Sequence, residues 1–477
     1  MAMGIQKTTQ YLAQQFETYL EDLKTLVRIP SVSFSGFPES EVRRSAQAVA
    51  DLLKLRGFEK VEILELPGCH PYVYGERLKA PGQPTLLLYA HHDVQPPGRE
   101  ELWNSPPFEP TLLQGPGGER LYGRGTADDK AGVVIHASAV DAYLKTVGEL
   151  PLNVKIVVEG EEETGSDHLP EFLKKYRSRL DADVLVLTDT TNFDCGVPAL
   201  TVALRGLVGL EVEVRALTKT IHSGMWGGPV PDPAMALSKM LATLVDDQGH
   251  IAIQGVMAGV PPITAEESEE FKKIPYNEKD FREQSGMVSG AQFISPELRA
   301  EGVSPLIQVW RLPSLTVNAI QASSRKSAGN IINDTAWAKV TIRIVEGMDA
   351  EQVLGLLQDH LRKNVPWGLE LSFKIEACNG GWATQPQGKA FEAARAALKY
   401  GYDREPLFIG CGGSIPFVKP FADALGGAPA LLVGVEDPYT NAHGENESLL
   451  VSDLQKACLA QVHLFNEIAE RWNAPQA

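Results

Sequence analysis

Apolar residues recur with helical spacing in some parts of the chain and in short unbroken runs in others. Helical spacing, with an apolar side chain every three or four positions, covers residues 8–28, 41–55, 131–146 and 452–472. Short apolar runs, typical of buried strands, lie at residues 85–90, 153–158, 183–187 and 430–435. Because such strands alternate with helices, the pattern predicts an α/β domain with a mainly parallel sheet flanked by helices.

The middle of the chain has a different pattern. Apolar and polar residues alternate with period two at 210–215, 337–345 and 369–375, and helical spacing covers 233–244 and 349–361. Strands with one solvent-exposed face, together with two helices, predict a smaller α+β layer inserted into the larger domain. Within this region, the acidic stretch, residues 262–302, is predicted to be a helical or loop excursion, and we assign it no function.

Composition excludes several classes of partner. The 477 residues include 44 Lys and Arg against 61 Asp and Glu, a net charge of −17, whereas proteins that coat nucleic acids or anionic membranes need basic patches. No apolar run approaches the roughly 18 residues of a membrane span, and the N-terminus lacks the apolar core of a signal peptide. Five scattered cysteines suggest reduced thiols. We therefore expect a cytoplasmic protein without nucleic-acid or membrane partners.

Polar clusters follow the predicted strands or begin helices. They are His91-His92-Asp93, the segment 123–130 with Asp128-Asp129-Lys130, the segment 159–166 with Glu161-Glu162-Glu163, Asp189, and His443-Gly-Glu445-Asn-Glu447. Sites in open α/β sheets form at the carboxyl ends of the strands. We therefore expect these side chains to converge on one rim of the sheet.

Such a rim would combine several carboxylates with two imidazoles. Crowded carboxylates raise one another's pKa unless a cation lies among them, and mixed His, Asp and Glu ligation suits Zn²⁺, Mn²⁺ or Co²⁺. A bridging carboxylate can hold two ions about 3.5–4 Å apart, and a further Glu can act as a general base toward water. The clusters therefore favour metal-assisted hydrolysis.

Other interpretations remain for each residue alone. His91 fits a hydrogen-bonded structural histidine, Asp128-Asp129 a helix N-cap, and Glu161–Glu163 a solvated acidic turn. For the whole chain, a non-catalytic binding protein with the same fold is an alternative. An Mg²⁺ site for phosphoryl chemistry is another, although two histidines and the lack of a phosphate-binding glycine loop count against it.

The ordered motifs resemble those of the M20 family of dinuclear zinc metallopeptidases, in particular its carnosinase, cytosolic dipeptidase and PepV-like branch. The resemblance is carried by Tyr89–Pro96, Tyr122–Lys130, Glu159–Ser166, Asp189 and His443-Gly-Glu445. It implies a catalytic domain formed by residues 1–205 and 379–477, interrupted by a ferredoxin-like lid and dimerisation domain, residues 206–378. It also implies hydrolysis of peptide bonds in dipeptides or short peptides by a metal-bound hydroxide.

The resemblance also implies roles for individual residues. His91 and Asp189 would bind one metal ion, Glu163 and His443 the other, and Asp128 would bridge the two. The ions would be Zn²⁺, with Mn²⁺ or Co²⁺ as alternatives. Two further catalytic residues and one backbone feature are implied: Asp93 would orient His91, Glu162 would be the general base, and the Asp128–Asp129 peptide would be cis.

The inserted domain has its own implied roles. His222 would reach the partner subunit's active site in a homodimer, and Arg343 would bind the substrate carboxylate. Gly413 and Ser414 would contact the substrate backbone. On residues alone, His222 also fits a turn and Arg343 a strand surface. An N-acyl amino acid deacylase with the same site is the alternative function, although Asp at position 189 resembles the peptidase members more.

Overall fold

The structure is a computed structural model that describes residues 2–413, 415 and 417–472. The chain divides into two compact units. The first unit comprises Met1–Val202, Gln385–Ile409 and Pro416–Ala477, and the second comprises Ala203–Thr384 and Gly410–Ile415. In the described part of the chain, no helix is long and apolar enough to cross a membrane.

The described residues form eighteen strands and fourteen α-helices. The strands are β1 (Glu59–Leu64), β2 (Tyr72–Arg77), β3 (Thr85–His91), β4 (Thr111–Gly115), β5 (Gly118–Tyr122), β6 (Asn153–Glu159), β7 (Val184–Leu187), β8 (Ala199–Leu204), β9 (Gly206–Arg215), β10 (Ile221–His222), β11 (Ser314–Gln321), β12 (Ile331–Ile332), β13 (Thr335–Ile344), β14 (Glu370–Asn379), β15 (Trp382–Ala383), β16 (Leu407–Cys411), β17 (Ala430–Leu432) and β18 (Ser448–Leu450). The helices are α1 (Ala2–Val27), α2 (Glu39–Leu55), α3 (Lys130–Thr146), α4 (Leu169–Leu180), α5 (Ser223–Trp226), α6 (Pro233–Ala242), α7 (Ala265–Phe271), α8 (Glu278–Gln284), α9 (Pro296–Ala300), α10 (Pro305–Arg311), α11 (Ala350–Asn364), α12 (Lys389–Tyr402), α13 (Val418–Ala424) and α14 (Val451–Trp472).

The main sheet of the first unit has the order β1-β2-β6-β3-β7-β17-β8. Its centre is parallel, since β3 pairs in parallel with β6 and β7, and β17 with β7. The strands β1, β2 and β8 pair antiparallel at the two sides. Leu86–Ala90 are fully buried because helices cover both faces of a parallel sheet. The predicted α/β fold class, with helices around a mainly parallel sheet, is confirmed.

One predicted strand is longer than the observed one. The sequence pattern predicted a strand over residues 430–435, but β17 ends at Leu432. Val433 still donates its backbone N–H to Leu187, at 2.9 Å. The chain then passes so close to Thr190 that a Cβ on Gly434 would lie 1.5 Å from the Thr190 carbonyl oxygen. Only glycine permits this approach, beyond which Glu436 forms an isolated parallel bridge with Thr191.

The second unit contains a four-stranded antiparallel sheet in the order β11-β13-β9-β14. The chain order β9-α6-β11-β13-α11-β14 is that of a ferredoxin-like fold. Buried and half-buried residues alternate along β13, and α11 buries Val353, Leu354, Leu357 and Leu361 in the same apolar core. The acidic stretch contains the three short helices α7, α8 and α9, and β11 is a strand that the sequence pattern did not reveal.

Candidate dinuclear metal centre

The carboxyl ends of the parallel strands carry the polar clusters of the first unit. His91 is the last residue of β3 and is fully buried, and Asp189 follows the end of β7. Asp128 lies just before α3, in a cis peptide with Asp129. Asp129 caps α3, and its carboxylate accepts the Gly132 N–H at 3.2 Å. The N-cap interpretation therefore holds for the second aspartate, whereas the first faces the cluster.

Five side chains form two groups that share Asp128. The Nε2 atom of His91 lies 2.9 Å from Asp128 Oδ1 and 3.7 Å from Asp189 Oδ1. The Nε2 atom of His443 lies 3.0 Å from Asp128 Oδ2 and 3.2 Å from Glu163 Oε2. Within each group of three, the candidate ligand atoms lie within 4.8 Å of one another. Asp128 thus offers one carboxylate oxygen to each group, which is the arrangement a bridging ligand needs.

The electrostatics of the cluster favour cations. Burial and the nearby Asp128 carboxylate raise the pKa of Glu163 to about 7. Burial and Asp128 also act to raise the pKa of Asp189. The pKa of Glu162 lies well above its ordinary value because of burial and the nearby Asp189 carboxylate. Crowded acids of this kind need a balancing positive charge to stay ionised, and the His, Asp and Glu donors fit two divalent ions.

Asp93 connects the end of β3 to the glutamate pair. Its Oδ1 accepts the backbone N–H of Glu162 at 3.2 Å, and its Oδ2 accepts that of Glu163 at 3.1 Å and the Ser33 hydroxyl at 2.7 Å. The Nδ1 atom of His91 lies 3.1 Å from the Asp93 backbone carbonyl and 3.4 Å from its carboxylate. The Asp93 main chain and side chain thus hold the imidazole and the glutamates in one arrangement.

Sequence reasoning overlooked Glu447, a fully buried carboxylate behind Asp128. It accepts backbone N–H groups from Gly125 at 3.0 Å, Ala127 at 3.1 Å and Asp128 at 3.3 Å. It also pairs at 2.7 Å with the buried guanidinium of Arg124. Its place in the last polar cluster was the available signal, but its role depends on contacts across 323 residues of sequence.

Two other polar residues around the cluster were also overlooked. The backbone N–H of Gln95 donates to Glu163 Oε1 at 3.0 Å, and its side-chain amide donates to Oε2 at 2.7 Å. Glu159 is buried and accepts the hydroxyls of Tyr72 and Tyr89, both at 2.8 Å. Burial raises the pKa of Glu159 to about 7. These hydrogen bonds fix the orientation of the Glu163 and Glu159 carboxylates.

The other predicted site residues belong to the second unit. His222 lies on β10, is exposed, and accepts the Gly224 N–H on Nδ1 at 3.0 Å. Arg343 is half-buried on β13. The carbonyl oxygen of Gly413 accepts the backbone N–H of Arg205 at 3.1 Å. Ser414 lies outside the described residues.

The second unit adds a second arginine beside Arg343. Arg205 donates to the Gly412 carbonyl at 3.0 Å and to the Ser314 hydroxyl at 2.9 Å, and Ser314 is the cross-strand partner of Arg343. Burial and the neighbouring Arg343 guanidinium lower the pKa of Arg205 to about 10. Two adjacent guanidinium groups suit a carboxylate ligand. The sequence carried no motif that pointed to Arg205.

Comparison with known proteins identifies the family of the chain. Residues 87–467 match peptidase family M20/M25/M40. The chain is 32% identical over 384 residues to a cysteinylglycine-S-conjugate dipeptidase of Corynebacterium striatum, covering 80% of each chain.

Two solved structures are also similar. The dipeptidase Dug1p of Saccharomyces cerevisiae matches with a TM-score of 0.87 and 26% identity, over 100% of both chains. Human carnosine dipeptidase 1 matches with a TM-score of 0.85 and 27% identity, over 98% of this chain and 99% of that one. Because the family match covers most of the chain and the relative from Corynebacterium striatum is more than 30% identical, the chain belongs to peptidase family M20/M25/M40.

Proposed function

We propose that this protein hydrolyses the peptide bond of dipeptides at a dinuclear metal centre. The observation that carries the proposal is the pair of three-residue ligand groups that share Asp128. His91 and Asp189 would hold one ion, Glu163 and His443 the other, and Asp128 both. The similarity to metallodipeptidases supports a dipeptide substrate.

We propose Zn²⁺ as the metal, since each group offers one imidazole and two carboxylates. Mn²⁺ and Co²⁺ accept the same donors and are the alternatives. When bound, two such ions would lower the pKa of a water molecule and polarise the scissile carbonyl.

Glu162 is the proposed general base. It directly precedes the ligand Glu163, and its backbone N–H is held by Asp93 at 3.2 Å. Its carboxylate would take the proton of the attacking water and deliver it to the leaving amine, so that one residue serves both proton transfers. Asp93 contributes by holding His91 and the glutamates in place.

Substrate recognition is proposed for the second unit. Arg343, with Arg205 beside it, would bind the free carboxylate of the dipeptide through a guanidinium fork. The backbone of the loop that contains Gly413 and Ser414 would contact the peptide.

We also propose a homodimer in which His222 serves the partner's active site, where it would stabilise the oxyanion. Large apolar side chains next to it support an interface: Met225 is 75% exposed and Trp226 is 54% exposed. If the dimer role holds, the variant His222→Ala keeps its metal and loses turnover. A fully active monomer in sedimentation would contradict that role.

We also propose a cytoplasmic location, which is supported by the five cysteines, none of which forms a disulfide.

The variant Glu162→Gln tests the mechanism. We expect it to retain two ions per chain by elemental analysis while its turnover falls by about 10²–10⁴-fold, the usual contribution of a general acid-base residue. The matched control is Glu405→Gln, because Glu405 pairs with Arg395 at the surface, outside the polar clusters. Near-normal turnover by Glu162→Gln would overturn the assignment.

A substrate panel tests the substrate class. Cys-Gly and β-Ala-His dipeptides, a tripeptide and N-acetyl amino acids would be compared by kcat/KM on the Zn²⁺-loaded enzyme. We expect dipeptides to be preferred. A preference for N-acetyl amino acids would instead support the deacylase.

A further inference from the structure

A third group of metal-ligating side chains lies in the first unit, apart from the two groups that share Asp128. Cys69 precedes β2, Glu161 follows β6, and His168 is the N-cap residue of α4. Their candidate ligand atoms lie within 4.8 Å of one another. The Glu161 side chain is 5% exposed and that of His168 is 34% exposed, so the group is buried on one side and open to solvent on the other.

The geometry of this group is as compact as that of the dinuclear centre. The Nδ1 atom of His168 lies 2.9 Å from Glu161 Oε2. This equals the distance from His91 Nε2 to Asp128 Oδ1 in the dinuclear cluster. On a tetrahedral Zn²⁺, with Zn–N and Zn–O bonds of about 2.0–2.1 Å, the two donors would be roughly 3.4 Å apart. A shift of about half an ångström in flexible side chains would therefore admit the ion.

The backbone already holds these side chains in place. Glu161 Oε1 accepts the His168 backbone N–H at 3.1 Å, which fixes the carboxylate against the start of α4. The His168 ring packs against the loop that precedes β2, where a Cβ on Gly68 would lie 3.8 Å from Nε2. The site would therefore need little rearrangement of the main chain.

The local charge also favours a cation. Burial and the carboxylates of Glu161, Glu159 and Glu171 raise the pKa of the Cys69 thiol. Without a metal, the sulfur therefore stays protonated and donates to the His70 carbonyl at 3.0 Å. On binding, a divalent cation would displace the thiol proton to solvent, and the resulting thiolate and carboxylate would balance its charge of +2.

We propose that Cys69, Glu161 and His168 form a third metal site, which binds Zn²⁺ through sulfur, oxygen and nitrogen and leaves the fourth position to water. Its thiolate distinguishes it from the dinuclear centre, whose predicted ligands offer only oxygen and nitrogen. A metal ion there would link Cys69, in the loop before β2, to Glu161, the residue that precedes Glu162. The expected count of three ions includes the two of the proposed dinuclear centre, whereas the thiolate-to-cobalt band reports the third site alone, so that failure of either proposal is seen separately.

Cobalt substitution tests the site on the full chain. The protein is stripped with a chelator and then titrated with Co²⁺ alone. We expect three ions per chain and a thiolate-to-cobalt charge-transfer band in the near ultraviolet. The variants Cys69→Ser and His168→Asn should each bind two ions, and Cys69→Ser should lose the band.

The matched control is Cys195→Ser. Cys195 is likewise half-buried, but its sulfur lies 3.9 Å from the cationic Arg120 Nη1, which disfavours a metal. This variant should keep three ions and the band. Two ions without the band in the unmodified protein would overturn the proposal, and so would a band that persists in Cys69→Ser. If Cys69→Ser does not fold, the ion count of His168→Asn decides.

Discussion

The variant Glu447→Gln should destabilise the first unit far more than its small change in size suggests. The carboxylate accepts three backbone N–H groups, and its ion pair with Arg124 is screened by almost no solvent, since the two side chains are 0% and 1% exposed. The amide of glutamine retains one acceptor oxygen and turns its donor group toward other donors. Arg124 then keeps its buried charge without a carboxylate.

Breaking a buried ion pair from one side costs about 3–5 kcal/mol. We therefore expect the free energy of unfolding to fall by about this amount, measured by urea denaturation of the metal-loaded protein. Backbone amides at residues 125–128 should also exchange hydrogen faster, because three of them lose their charged acceptor. Metal affinity should fall with stability, since Asp128 belongs to this loop.

The double variant Glu447→Gln with Arg124→Met is the control. It removes both charges, so it should be less destabilised than the sum of the two single variants. A loss below about 1 kcal/mol in Glu447→Gln, the usual range of a neutral hydrogen bond, would refute the reasoning. A double variant as unstable as the sum would refute it too.

Three further predictions follow from other contacts. The variant Asp93→Asn should weaken metal binding by about 10–100-fold in competition with a chelator, because it disturbs the hydrogen bonds that hold the ligands; unchanged affinity would contradict this. His250 lies between Glu297 and Asp246, which raise the pKa of its imidazole. The ion pairs of protonated His250 therefore contribute fully to the stability of this region below the pKa of an unfolded histidine. That contribution is lost as the pH rises through the raised pKa. Proteolysis of the acidic stretch should therefore be faster at alkaline pH, and a pH-independent rate would argue against the pairing. Leu357→Ala should cost about 2–5 kcal/mol in chemical denaturation, since the side chain is fully buried in the second unit, and a loss below about 1 kcal/mol would be inconsistent with that burial.

Secondary structure was largely predictable from the chain itself. Strand β3 and helices α3 and α14 lie within one residue of their predicted bounds, because periodicity records which side of an element is buried. The antiparallel strands β1 and β2 were missed, since charged residues interrupt the apolar pattern of β1 and only three apolar residues begin β2. Residue types and their order also pointed to metal chemistry before any contact was known.

Tertiary structure decided which of these residues meet. Asp128 and His443 are far apart in sequence, and folding brings their side chains to 3.0 Å. Glu447 and Cys69 had no recognisable role until their partners were placed around them. Local patterns report the burial of each residue, whereas a metal site or a buried ion pair depends on atoms from distant segments. The sequence by itself determined the central parallel strands, the long helices and the candidate ligands of the dinuclear centre. The tertiary structure decided their neighbours because only packing sets distances between segments.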